Sequence, residues 1–244
     1  VTEFWIFTLY PELFDSYLGS GLLGRALEDG KLVVARHNFR DFGLGKHKKV
    51  DDTPYGGGAG MVLRPEPILE ALEAAEAKAG QRSHRILVTP RAKAYTQADA
   101  HRLARMDRPV ALVCGRFEGF DERVGSFMDE ELSLGDFIMM GGEVAAMAVV
   151  ESVARLLPQV IGNGESLVCE SYESGLLEYG HYTKPLVFRG LEVPPVLAGG
   201  DHKKIESWRT ADSRQTTRLK RPDLLNPGQG KGPESLEPLE KDHE

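Results

Sequence analysis

Apolar residues recur along the chain in two periods. Short runs of strand length alternate with amphipathic stretches that return every three to four residues. Thr2 to Leu9 is a near-continuous apolar run and reads as a buried strand; Pro11 then opens a helix. Gly21 to Asp29 is a short helix closed by Gly30, and Lys31 to Asn38 is a strand. Phe39 to Gly60 carries no regular period. Arg64 to Ala79 is a helix, with Pro65 near its start and Gly80 after its end. His84 to Thr89, Pro109 to Gly115 and Glu131 to Met140 read as strands, with helices over Thr96 to Met106 and Phe120 to Met128 between them. Gly142 to Leu157 is a further helix, stopped by Pro158.

Strands alternating with helices predict an α/β fold, a parallel sheet with helices on both faces, over residues 1–158. Gln159 to Tyr182 is rich in Gly, Ser and Glu and is expected to be a linker, mobile until substrate arrives. Residues 183–244 form a small, mostly helical second domain. In it His202 to Leu219 is the main helix, and Asn226 to Glu244 is expected as a frayed acidic tail.

Composition narrows the class. The two cysteines, Cys114 and Cys169, have no paired spacing, which argues against a disulfide framework or a zinc site. Glu3, Pro11 and Glu12 interrupt the first apolar stretch, so neither a signal peptide nor a membrane span is expected, and the location is read as cytoplasmic. The net charge of −7 does not itself suggest nucleic acid. Its distribution does more: Arg36 to Lys49 and Asp201 to Arg221 are each +4, basic islands suited to phosphate contacts or to solvated faces.

Candidate chemistry gathers where strands end. The strand pattern through Met140 meets Gly141–Gly142 at the start of a helix, whose first backbone N–H groups have no partner within it. Two glycines there let the backbone approach a ligand closely. The segments HRILVTP (His84 to Pro90) and PVALVCGRFEG (Pro109 to Gly119) end in comparable turns. In a parallel sheet such loops line one crevice. The Gly56–Gly60 segment lacks the Gly-Lys-Ser/Thr ending of a nucleoside-triphosphate loop.

CGRFEGFDER (Cys114 to Arg123), GDFIMMGGEVAAM (Gly135 to Met147) and VDDTPYGGGAGMVLRPEP (Val50 to Pro67) resemble signatures of the bacterial tRNA (guanine-N1)-methyltransferase family. So do TLYPELFD (Thr8 to Asp15), GHYTKP (Gly180 to Pro185) and VPPVLAGGDHKKIESWR (Val193 to Arg209), in the family's order. The resemblance runs to about Leu225. It implies the SPOUT fold with a deep trefoil knot, and a homodimer in which two chains share each site. The implied methyl donor is S-adenosylmethionine, held by Leu87, Val88, Thr89 and Pro90, by Gly115 and Phe117, and by Leu134, Gly135, Asp136, Phe137, Ile138 and Met139 with Gly141 and Gly142. The implied substrate is tRNA, methylated on N1 of the guanine at position 37, beside the anticodon.

Guanine N1 carries a proton at neutral pH, so its methylation needs a base for that proton and a cation for charge growing on O6. By resemblance the cation is Arg155, in VARLLP. The family's aspartate base falls on Glu170, in CESYESG, one methylene longer, and Glu173 is a second candidate. Glu118 matches a family acidic residue near the donor and could place a Mg²⁺ ion; alternatively it caps the helix from Phe120. Ala145 stands where many relatives carry proline. His181 and Tyr182 face RNA or anchor the linker. Rival classes are another knotted RNA methyltransferase acting on ribose or ribosomal RNA, a non-catalytic RNA-binding module, and a dinucleotide oxidoreductase. The last is disfavoured because LYPELF, after the first strand, has no glycine.

Overall fold

The computed structural model of the chain describes residues 1–162 and 170–225. Cys169, the 163–169 part of the expected linker and the tail from Asn226 lie outside the described residues. The chain divides into two compact units, Val1–Gly164 and Glu165–Glu244.

The first unit is built on β1 (Thr2–Thr8), β2 (Leu32–Asn38), β5 (His84–Val88), β6 (Val110–Cys114) and β7 (Glu130–Leu132). These make one parallel sheet in the order β2-β1-β6-β5-β7. Central strands covered on both faces need apolar residues at every position. Thus Phe4 and Ile6 enter the core on one face of β1, while Trp5 and Phe7 enter the core on the other. The first core is closed by α2 (Gly21–Glu28), α4 (Gln97–Ala104) and α5 (Glu143–Ala154), the second by α3 (Pro65–Ala79). Phe4, Phe7, Phe14 and Phe39 are fully buried, each stabilising by roughly 1.5–3 kcal/mol.

Local signals set the helix ends. Pro65 opens α3, and Gly80 closes it in the left-handed conformation at φ 69°. Thr96 and Asp99 form a capping box at the start of α4. α1 (Asp15–Leu18) follows a 3₁₀ turn over Pro11–Phe14. The irregular stretch after β2 contains β3 (Asp51–Asp52), paired antiparallel with β4 (Val62–Leu63), so Gly56, Gly57, Gly58 and Gly60 sit in a closed loop.

Three expectations change. The strand expected over Glu131 to Met140 ends at Leu132. Ser133 N–H donates to Lys93 O and Ser133 O accepts from Tyr95 N–H, so the backbone leaves the sheet for the loop after β5. Gly135, at φ 153°, then turns it away. The helix expected over Phe120 to Met128 is a 3₁₀ turn, Glu122–Phe127, interrupted by the weak helix former Gly125. Its cap is Asp121, which accepts from Arg123 N–H, so Glu118 is not the capping residue.

The second unit holds a hairpin, β8 (Val187–Phe188) with β9 (Leu191–Glu192), which the periodicity does not reveal. Arg189 and Gly190 both have positive φ, 50° and 81°, as a tight two-residue hairpin turn requires. α6 (Pro195–Ala198) precedes α7 (His202–Lys220), capped by Asp201. Part of the expected mobile linker is held to α7. Leu177 N–H donates to Thr217 Oγ1, Ser213 Oγ to Leu177 O, and Gly180 N–H to Asp212 Oδ2. Those polar partners lie far along the chain, which is why local composition suggested mobility.

Candidate functional site

The carboxyl ends of β5, β6 and β7 carry three loops, laced together by backbone bonds. Thr89 N–H donates to Leu132 O at 2.9 Å, tying the first loop to the third strand's end. Gly142 N–H donates to Gly115 O at 3.0 Å, tying the start of α5 to the end of β6. Glu118 N–H donates to Met61 O, and Leu63 N–H to Gly119 O, drawing the glycine-rich loop alongside.

Side chains lock the same junction. Glu143, the first residue of α5, is 2% exposed. Arg116 pairs with it at 2.9 Å, and Thr8 Oγ1 donates to it at 2.7 Å from the end of β1. The Arg116 guanidinium also lies 4.6 Å from the centroid of the Tyr10 ring. Breaking a buried pair by removing one partner typically costs about 3–5 kcal/mol, so this pair fixes the loops' relative position. Cys114 is buried beneath it; burial, with the Glu143 charge, pushes its thiol pKa far up, leaving it inert.

The glycines here serve the protein's own packing as well as any ligand. A Cβ on Gly142 would lie 2.9 Å from Cys114 Cα and 3.0 Å from Gly115 N. A Cβ on Gly141 would lie 2.4 Å from Arg116 Nε. Phe117 adopts φ 58°, unusual for a bulky residue, and holds the turn that carries Glu118.

The loops enclose a cavity of about 300 Å³. It is lined by Leu87, Val88, Thr89, Pro90, Gly115, Phe117, Glu118, Leu134, Phe137, Ile138, Met139, Gly141 and Gly142, all expected from sequence. Gly135 and Asp136, also expected, are not part of the lining. Arg91, Glu131 and Ala145 line it unforeseen, because their approach depends on how the loops fold back. Glu143 was missed as a clamp, although its place directly after two glycines is the signal for it.

Of the expected catalytic residues Glu118 lines the crevice, whereas Arg155 and Glu170 are not among its lining residues. Arg155 is the C-cap of α5, the helix that starts at the crevice. At a rise of about 1.5 Å per residue, it stands roughly 20 Å along that helix from Gly142. Glu170 and Glu173 belong to the second unit, where Glu173 N–H donates to Glu170 O at 3.4 Å. Among the described residues no group of three His, Cys, Asp or Glu is placed to hold a metal ion. No helix among them is long and apolar enough to cross a membrane. Of the first basic island, Arg36, Lys48 and Lys49 are paired with Asp15, Asp41 and Asp52.

A parallel sheet with a crevice at its strand ends, walled in part by paired glycines, defines an α/β protein with a cavity of the size and place that suit a small ligand. A family profile described as tRNA (Guanine-1)-methyltransferase TrmD matches residues 2–227. Similar proteins include the tRNA (guanine-N(1)-)-methyltransferases of Myxococcus xanthus (strain DK1622) and Sorangium cellulosum (strain So ce56). The first is 52% identical over 220 residues, covering 90% of this chain and 88% of that protein. The second is 48% identical over 252 residues, covering 93% and 95%. The crystal structure of tRNA (m1G37) methyltransferase from Aquifex aeolicus aligns with a TM-score of 0.75 at 36% identity, covering 92% of this chain and 94% of that one. The chain belongs to the tRNA (guanine-1)-methyltransferase family and is an enzyme that methylates N1 of a guanine in tRNA.

Proposed function

We propose that the chain methylates the guanine at position 37 of tRNA, the position named for the Aquifex aeolicus enzyme, using S-adenosylmethionine held in the crevice. The observation that carries this is the convergence of three strand-end loops on one cavity with Gly141 and Gly142 in its wall. The cavity fits the donor: its volume lies at the lower end of the range for small-ligand sites, roughly 300–1,000 Å³. Leu87, Leu134, Ile138 and Ala145 offer apolar contact for an adenine, and Glu118 and Glu131 suit a cationic sulfonium. Leu87 to Pro90, Gly115, Phe117, Leu134, Phe137 to Met139, Gly141 and Gly142 are the lining residues assigned to hold it, while the expected Gly135 and Asp136 stand outside the lining. Bound there, it supplies an electrophilic methyl group.

Glu170 takes the proton from guanine N1, and Arg155 offsets charge developing on O6. Arg155 stands roughly 15 to 20 Å along α5 from the crevice-lining Ala145 and Gly142 of its own chain, farther than an arginine side chain spans. That supports a homodimer in which the Arg155 of one chain serves the crevice of the other. A Mg²⁺ ion would take Glu118 with waters and substrate oxygens, an arrangement that needs no three-residue cluster. The trefoil knot, the 1–158, 159–182 and 183–244 division and a cytoplasmic location complete the reading. The knot rests on the sequence resemblance, the division on the periodicity and composition of the chain, and the location on the tRNA substrate.

Mixing tests it. An Arg155→Ala chain and a Gly142→Ala chain, each defective alone, should regain part of the activity when combined, with the methyl group mapped to guanine N1. No recovery on mixing, or a product methylated at another atom, refutes the shared site or the reaction respectively.

A further inference from the structure

A second cavity lies wholly within the second unit, between the Tyr179–Leu186 segment and α7, and no role has been assigned to it. We propose that it holds an unpaired nucleotide of the tRNA, stacked on Tyr182, at a place distinct from the methylated guanine. The proposal rests on tRNA being the substrate.

Three observations carry it. The first is charge. The chain is net −7, and the donor crevice is lined by the carboxylates Glu118, Asp121, Glu122 and Glu131 with the guanidinium groups of Arg91 and Arg116. The second cavity has no Asp or Glu in its lining, while Lys184 and Arg209 both contribute to it. On an acidic protein, a cavity bearing only cations among its charged groups suits an anion such as a phosphodiester.

The second is aromatic surface. Tyr179, His181 and Tyr182 line the cavity, and Tyr182 is 52% exposed. Trp208 meets Tyr182 in a T-shaped contact at 6.2 Å. Such a contact covers the face of only one of the two rings. A purine or pyrimidine stacks on any exposed ring face, which is how single-stranded nucleic acid is held without reading its sequence.

The third is unused hydrogen-bonding capacity. The Arg209 guanidinium lies 4.7 Å from the centroid of the Tyr179 ring. Its separation from Glu206 is 3.9 Å, too long for a hydrogen bond. Its Nε–H is buried without an acceptor among the described residues. A guanidinium carries five N–H donors, so this one retains donors for a phosphate. Ile205, one turn earlier on α7, supplies an apolar wall, and the Thr183 hydroxyl adds a polar group for a base edge. Carboxylates do stand nearby: Glu178 lies 3.7 Å from His181, and Asp212 accepts from Gly180 N–H. Both are engaged with this segment rather than lining the cavity.

Trp208 gives the test a built-in probe, because the chain's other tryptophan, Trp5, is 3% exposed in the first unit. The intact protein is titrated with a short oligocytidylate, which contains no guanine, and separately with a tRNA transcript. Oligocytidylate should change the Trp208 emission saturably, and saturating S-adenosylmethionine should not compete. Tyr182→Ala should weaken both RNAs on the order of 5- to 100-fold, the range for loss of one stacked base. Tyr182→Phe, which keeps the ring, should restore binding. Lys184→Gln, which leaves the aromatic packing intact, should flatten the salt dependence of binding by about one phosphate contact. Donor affinity, by calorimetry, should be the same throughout. The proposal is overturned if oligocytidylate leaves the emission unchanged, or if Tyr182→Ala binds tRNA as the parent does. If instead oligocytidylate binds through Tyr182 but the parent protein methylates no tRNA, the reaction assignment fails and the nucleotide site stands.

Discussion

Gly142→Ala is a one-carbon change whose effect can be worked from the packing. The added Cβ would sit 2.9 Å from Cys114 Cα and 3.0 Å from Gly115 N, both on the backbone at the end of β6. Ordinary contact begins near 3.4 Å, so the start of α5 must retreat by about half an ångström. No flexible side chain can move aside there. Overpacking of this kind costs about 1–3 kcal/mol. Retreat also strains the 3.0 Å bond from Gly142 N–H to Gly115 O, whose loss adds about 1 kcal/mol. The lower end of that sum, about 2 kcal/mol, predicts a fall in Tm of about 4–8 °C for a chain of this length. Both glycines line the donor crevice, so S-adenosylmethionine affinity should fall on the order of 10-fold. Thermal melts and donor calorimetry measure the two effects. Gly162→Ala is the control: a Cβ there meets nothing within 4 Å among the described residues. If Gly142→Ala melts and binds donor like the parent chain, the close approach of α5 to β6 is not what shapes the crevice.

Single-turnover methyl transfer should slow by about 10²- to 10⁴-fold in Glu170→Gln and little in Glu173→Gln; the reverse pattern would move the base to Glu173. Replacing Lys203, Arg209 and Arg214 with Gln should weaken tRNA binding and flatten its salt dependence by about one unit for each phosphate contact removed, with donor affinity intact. An unchanged salt slope would mean that α7 does not meet phosphates. Burial raises the pKa of Glu76, but hydrogen bonds from Arg85 and Ser83 outweigh it and hold the carboxyl below its ordinary 4.5. A depressed carboxylate stabilises the fold above its unfolded pKa, and that contribution disappears as pH falls through 4.5 toward the folded value. Melting curves of Glu76→Gln should therefore lose part of the acid sensitivity of the parent between about pH 5 and pH 3. Parallel curves would remove Glu76 from the acid response.

The sequence by itself determined whatever depends on neighbours within a few residues. Runs such as Trp5–Phe7 and Ala111–Val113 have to be strands buried on both faces, and Pro65, Gly80 and the Thr96–Asp99 pair set helix ends without tertiary help. The Thr-Pro turn after β5 and the glycine turns after β6 and the shortened β7 were legible for the same reason, and so was the crevice they line. Tertiary structure alone decided the order β2-β1-β6-β5-β7, which no period along the chain encodes. It also ended β7 at Leu132, because Ser133 exchanged its sheet partners for Lys93 and Tyr95. It joined Glu143 to both Arg116 and Thr8 across long stretches of chain, turning an apparently ordinary helix start into the clamp between two loops. In each case the deciding partner is remote in sequence, and periodicity reports only which face of an element is apolar, not what covers it.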